Sequence, residues 1–137
     1  MNIRYPAIIE HQGEGGFTVS FPDIDEAITE GDSLEEALFN AADVLTLTIE
    51  SRIDEGMNIP MPSSIDGAYE VVPSSKVQAA LLVRFCRGNR PLSDIARSLE
   101  TSWPSASRLE NPHHWPSLKQ LDRAASALGK RLVLSFE

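Results

Sequence analysis

The sequence holds one cysteine, Cys86, in 137 residues. A single thiol excludes a disulfide framework and a cysteine-based zinc cluster. Cys86 lies beside an apolar stripe and reads as a small core hydrophobe. No apolar run approaches the roughly 18 residues that a membrane span needs. The opening MNIRYPAIIEHQGEGG has one Arg and a very short apolar run, so it does not read as a secretion signal, and a cytoplasmic protein is expected. No Gly-rich phosphate loop and no nucleophile–His–acid pattern is present. What is present is ordinary for a globular chain: 42% hydrophobic residues, which argues against global disorder. The length fits one domain or two very small ones.

Bases are scarce in the first half. Residues 1–72 carry 15 acids against Arg4 and Arg52, a balance of −13. Residues 73–137 carry 10 bases against 5 acids, a balance of +5. Opposite signs suggest two modules with two kinds of partner. The acidic half should repel nucleic acid and attract something basic, whereas the basic half suits phosphates. The plainer reading is two surfaces that merely differ in charge.

In the acidic half, Ile3, Tyr5, Ala7 and Ile9 alternate, which predicts a half-buried strand. Gly13-Glu14-Gly15-Gly16 predicts a hairpin turn. Phe17, Val19 and Phe21 alternate again until Pro22. A short third strand is expected at residues 27–30, closed by Gly31. Then the period changes. Ser33 and Glu36 have capping-box spacing, and Leu34, Leu38, Ala41, Leu45, Ile49 and Ile53 form a helical stripe facing the sheet. Gly56 stops the helix. Residues 58–67 read as a connector, with a short strand after them at residues 69–72.

Asp23, Asp25 and Glu26 cluster after the second strand, and clustered carboxylates can hold a divalent metal. A magnesium nuclease of the RNase H type also needs an acid from its first strand. That strand has none at its centre. The expectation is therefore no catalysis, no metal and no cofactor.

In the basic half, Ser75–Gln78 is another candidate capping box. Val77, Ala80, Leu81, Leu82 and Phe85 predict an amphipathic helix ended by Gly88. Ser93 reads as the cap of a short helix that buries Ile95, Ala96 and Leu99. Pro104 suits the first position of a second short helix, with Ala106 and Leu109 inside. Ser117–Gln120 caps a last helix that ends at Gly129. Two short helices joined by about four residues and flanked by longer ones are the pattern of a helix-turn-helix. Trp103, Ser105, Ser107 and Arg108 would lie on its exposed face, where Arg108 can bind guanine or clamp a phosphate. Ser93 and Ser102 join them as candidate DNA contacts. His113 and His114 follow this helix; adjacent histidines point apart, so no metal site is expected, and His113 suits a phosphate. The plainer reading is a small helical bundle. Leu132, Leu134 and Phe136 alternate, which predicts a terminal strand that pairs with a second copy as a dimer ribbon.

The stretches Glu14-Gly15-Gly16-Phe17-Thr18-Val19-Ser20-Phe21-Pro22-Asp23-Ile24, Glu26-Ala27-Ile28-Thr29-Glu30-Gly31-Asp32-Ser33 and Glu36-Ala37, at this spacing, resemble the HicB antitoxin family. Ile95-Ala96, Ser107-Arg108-Leu109 and Leu128-Gly129-Lys130-Arg131-Leu132 resemble the Cro/repressor-type helix-turn-helix of one branch. The resemblance implies an α+β fold. A small antiparallel sheet with one long helix, a partial RNase H shape, spans residues 1–72. An all-α helix-turn-helix domain ending in a short strand spans residues 73–137. It implies a partner toxin, HicA, a small basic ribonuclease that cleaves messenger RNA. It also implies repression of the operon through operator DNA, as a homodimer or higher oligomer. At the turn, Glu100 stands where such units commonly carry Gly, so a tighter or longer turn is expected. Trp103 and Pro104 stand where a basic or polar pair is more usual. Trp103 can meet a thymine methyl group or the sugar backbone, or belong to the core.

An acidic module can cover a basic ribonuclease by charge complementarity, which speeds encounter more than it tightens binding. Buried aromatic anchors do the holding. Tyr5, Phe17 and Phe21 are the candidate anchors, with Asp23, Asp25 and Glu26 as acidic contacts. Phe17 and Phe21 share one face, which can equally pack on the helix. Two other functions stand beside this one: a helix-turn-helix regulator whose first module senses a ligand, and a metal-dependent nuclease.

Overall fold

Two turn glycines let the first hairpin close. The computed structural model describes all 137 residues. β1 (Tyr5–His11) and β2 (Phe17–Ser20) pair antiparallel. Their turn needs positive φ at Gly15 and Gly16, +99° and +84°, which residues without a Cβ adopt at no steric cost. β3 (Ile28–Gly31) pairs with β2, and β4 (Tyr69–Val71) with β1. The sheet order is β3-β2-β1-β4, antiparallel throughout. Opposed residues share a face. One face therefore carries Tyr5, Ala7, Ile9, Val19, Gly31 and Val71, and the other Ile8, Glu10, Thr18, Ser20, Ile28, Glu30 and Glu70.

α1 (Leu34–Asp54) covers the first of these faces. Its N-cap is Ser33, whose Oγ accepts from the Glu36 N–H at 3.1 Å. Ala37, Ala41, Leu45 and Ile49 are buried at helical spacing. Of the expected stripe, Ala41, Leu45 and Ile49 are packed, while Leu34, Leu38 and Ile53 are half-buried at its edge and Ala37 takes the place beside Gly31. Gly31 lets the helix come this close: a Cβ there would lie 2.4 Å from the Ala37 backbone nitrogen. After Asp54 the chain turns through Gly56 at φ +70°. The Met57 N–H returns to Arg52 O at 2.8 Å, which satisfies a carbonyl of the last turn. The chain clusters into two compact units, Met1–Gln78 and Ala79–Glu137.

α2 (Ser75–Arg87) starts one residue earlier than the capping box predicts. Ser74, not Ser75, presents the capping hydroxyl, accepting from Val77 N–H at 3.4 Å. Gln78 Nε2 instead donates to Pro73 O at 2.8 Å. The start is fixed from behind, because the Ser74 N–H donates to Thr46 Oγ1 on α1 at 2.9 Å.

The second unit continues with α3 (Leu92–Ser98), α4 (Trp103–Arg108) and α5 (Leu118–Ala127). Val83, Ile95, Leu99, Leu109, Ala124 and Leu128 form its core, with the half-buried Cys86 packed against it. Ser93 is not the cap of α3. Pro91 holds that position with an extended backbone, and its carbonyl starts the helix by accepting from Asp94 N–H. Ser117 and Gln120 do form the full reciprocal box on α5. The strand expected over residues 132–136 is absent. A strand exists only through its ladder, and this unit contains no other strand to supply one.

Candidate functional site

The structure separates the six candidate toxin contacts. Tyr5 and Phe21 are core residues, 0% and 2% exposed. The Tyr5 hydroxyl donates to Pro60 O at 2.7 Å. Burial pushes its phenol up; Asp23 adds to that and Arg52 opposes it. Neither side chain has surface to offer a partner, so both leave the set of anchors: the face they share is the one α1 covers. Phe17 is half-buried, its ring 4.9 Å from that of His11.

Two of the three acids are tied inside the unit. The Asp23 carboxylate accepts from Ser63 N–H at 2.8 Å and Ser63 Oγ–H at 2.6 Å. The Glu26 carboxylate accepts from Arg52 Nε and Nη2 at 2.7 and 2.6 Å. Arg52 Nη1 also donates to Asn58 O at 3.3 Å. Together these bonds staple the connector and the end of α1 to the loop after β2. The Arg52 hydrogen bonds pull the Glu26 carboxyl from 4.5 down to about 2 and hold the guanidinium more firmly protonated. Asp25 is exposed. No group of three His, Cys, Asp or Glu side chains converges to hold a metal ion.

The accessible surface of this unit is elsewhere. On the outer face of α1, Phe39 and Leu47 are 70% and 64% exposed. Asp43 lies between them at i+4 spacing, and Glu36, Glu50 and Asp54 extend the same side of the helix. The uncovered sheet face shows Glu10, Glu30 and Glu70 beside the exposed Ile28. Sequence reasoning missed Phe39 and Leu47. The signal was there: both are large apolar residues that fall off the buried stripe.

In the second unit the turn between α3 and α4 has the ordinary length. Glu100 adopts φ +53°, the one non-glycine residue in the left-handed region. Its N–H donates to Arg97 O at 3.1 Å, and Thr101 N–H donates to Ala96 O at 2.9 Å. This pair of bonds is the helix-ending motif that usually places glycine at this position. The tighter or longer turn expected from Glu100 is therefore corrected: the hydrogen bonds and packing hold the geometry despite the Cβ. Ser102 caps α4, and Trp103 and Pro104 occupy its first two positions.

Of the candidate DNA contacts, Ser102, Trp103 and Arg108 are exposed on or beside α4, and Ser105 and Ser107 are half-buried on it. Ser93 is exposed on the first turn of α3, and His113 is exposed beyond α4. Trp103 is 54% exposed, so it is not a core residue. The end of α4 is anchored through Glu110, 6% exposed. Its carboxylate accepts from Arg87 Nε and Nη2 at 2.5 and 2.9 Å, and Arg84 Nε lies 3.7 Å away. These bonds hold the Arg87 guanidinium more firmly protonated. Arg123 on α5 donates to Leu99 O at 2.9 Å, tying α5 to the turn. Arg97 on α3, Lys119 and Arg123 on α5, and Lys130 and Arg131 after it are exposed.

Fold and surfaces give a chain of two parts, an acidic α+β unit and a basic helical one. Comparison with known proteins gives the family. Residues 4–74 match the family model described as the HicB-like antitoxin of bacterial toxin–antitoxin systems. Antitoxin HicB 1 of Photorhabdus laumondii is 34% identical over 137 residues, 99% of this chain and 88% of that protein. Antitoxin HicB 2 of the same bacterium is 37% identical, over 97% of this chain and 96% of that protein. Antitoxin HicB of Escherichia coli K12 is 34% identical, over 96% and 98%. The chain belongs to the HicB-like antitoxin family. It is a regulatory toxin–antitoxin component and not an enzyme. No helix is long and apolar enough to cross a membrane.

Proposed function

We propose that this antitoxin neutralises a small basic, HicA-like, RNA-cleaving toxin through residues 1–72 and represses its own operon through residues 73–137. The observation that carries this reading is the split of charge, −13 against +5, across the two halves of one antitoxin chain. A ribonuclease must hold RNA phosphates on a positive surface, and an acidic cover competes for that surface. Exposed apolar groups within the acidic field, Phe39 and Leu47, supply the burial that charge alone does not. They take the role first assigned to Tyr5 and Phe21. Phe17 and Asp25 remain candidates at the rim, while Asp23 and Glu26 shape the loop beside them.

The second unit acts on operator DNA by a helix-turn-helix in which α4 enters the major groove. Arg108 and His113 contact phosphates or bases, and Ser93 lies towards the backbone. The apolar tail, with Val133, Leu134 and Phe136 exposed, pairs with a second copy, which sets two half-sites side by side. The test is co-expression with the small basic reading frame beside this one in the genome. Growth arrest by the neighbour alone, relieved by this chain, is the expected result. A harmless neighbour overturns the antitoxin half of the reading and leaves a stand-alone regulator.

A further inference from the structure

We propose that Trp103 is the specificity-determining residue of the DNA-binding surface, and that its indole reads the 5-methyl group of thymine in the major groove. This inference rests on the DNA-binding reading above. It starts from which groups on α4 are still able to read a base. The Ser102 hydroxyl donates to Ser105 Oγ at 3.0 Å and accepts from Ser105 N–H at 3.2 Å. The Ser102 hydroxyl is therefore spent on the helix end, and the half-buried Ser105 keeps only its own hydroxyl proton for a partner. Ala106 is buried and Ser107 half-buried. Arg108 sits at the far end, five residues or about 7.5 Å along the axis from Trp103.

What projects at the leading end is apolar. Trp103 is 54% exposed, and Pro104 beside it is exposed as well. Pro104 has no N–H and a locked φ, so it stiffens the backbone that carries the indole and adds no hydrogen bond. In the major groove, guanine, cytosine and adenine present donors and acceptors, while thymine alone adds a methyl group. An indole placed there gains by covering that methyl group and gains little over a polar base edge. The charge of this half of the chain favours DNA as the occupant, with 10 bases against 5 acids over residues 73–137. Arg97, Arg108, Lys119 and Arg123, on α3, α4 and α5, are all exposed.

The experiment uses the full chain and the DNA upstream of its own reading frame, made once with thymidine and once with deoxyuridine. The two duplexes differ in the methyl groups. Binding is read by fluorescence anisotropy at one fixed salt concentration. The wild type is expected to bind the deoxyuridine duplex about fourfold more weakly for each methyl group it covers. Trp103→Ala is expected to bind the thymidine duplex with that reduced affinity and to treat both duplexes alike, with an unchanged melting temperature. Arg108→Ala is expected to lose affinity for both duplexes by the same factor. Equal binding of the two duplexes by the wild type, or discrimination that survives in Trp103→Ala, overturns the role of Trp103 and leaves DNA binding standing. No binding of either duplex overturns the DNA reading itself and the inference with it.

Discussion

Gly31→Ala tests how α1 sits on its sheet. The added Cβ would lie 2.4 Å from Ala37 N, 2.7 Å from Ala37 Cα and 2.9 Å from the Glu36 carbonyl carbon. All three atoms are backbone, so no side-chain rotation relieves the contact. Ordinary contact starts at 3.4 Å, so the first turn of the helix must retreat by about 1 Å. That retreat loosens Ala37, Ala41 and the Ser33 cap. Inserting a methyl group into such a contact costs about 1–3 kcal/mol. Gly31 is in a strand and not at positive φ, so the lost chain freedom of the unfolded state returns about 0.4–1 kcal/mol. A net loss of about 1–2 kcal/mol is expected from these two effects. For a unit of this size it lowers the melting temperature by roughly 5–15 °C. Circular dichroism melts of the full chain and the variant measure it. The double variant Gly31→Ala, Ala37→Gly should melt no higher than Gly31→Ala, because the nearest atoms belong to the Ala37 backbone and not to its methyl group. A Gly31→Ala protein as stable as the wild type, or full rescue by Ala37→Gly, would refute the close approach.

Glu100→Gly should stabilise the second unit by about 1 kcal/mol, since the left-handed conformation costs an L-residue that much; urea unfolding reads it, and an unchanged midpoint counts against strain at the turn. Glu26→Gln tests the Arg52 staple through pH. The Glu26 carboxyl is lowered from 4.5 to about 2 in the folded chain, so its contribution is present above pH 4.5, fades as pH falls towards 2 and is gone below that. The stability difference between wild type and Glu26→Gln should therefore shrink across that window, and by a modest amount in total because the carboxylate is half exposed. Phe39→Ala with Leu47→Ala should weaken toxin binding by at least tenfold, as two apolar anchors are lost, and leave operator binding unchanged. Arg108→Ala should do the reverse, and loss of both activities in either variant would show that the two surfaces are not separable.

Much of the fold is written locally. The glycine turn at 13–16, the stripe from Ala41 to Ile49, Gly56, Gly88 and Gly129 as stops, and the Ser117–Gln120 box all stand where the pattern puts them. They do so because backbone freedom, capping and helical period act between residues at most a few positions apart. Caps that depended on distant contacts moved. Ser74 replaced Ser75 because Thr46, 28 residues earlier, holds its N–H. The functional residues were less legible. Alternation places Tyr5 and Phe21 on one face without saying whether that face is covered, and charge marks Asp23 and Glu26 as acids without naming Ser63 or Arg52 as their partners.

By itself the sequence determined the elements other than the terminal strand, their order, the family and the opposed charge of the two halves, because each of these is a property of composition or of short spacing, whereas a strand needs a partner. Only the tertiary structure decided which large apolar side chains are spent on the core and which stay on the surface. It buried Tyr5 and Phe21, left Phe39, Leu47 and Trp103 exposed, and brought Glu110 onto Arg87 across 23 positions of sequence. Burial depends on what packs from the other side, and that is set by residues far along the chain.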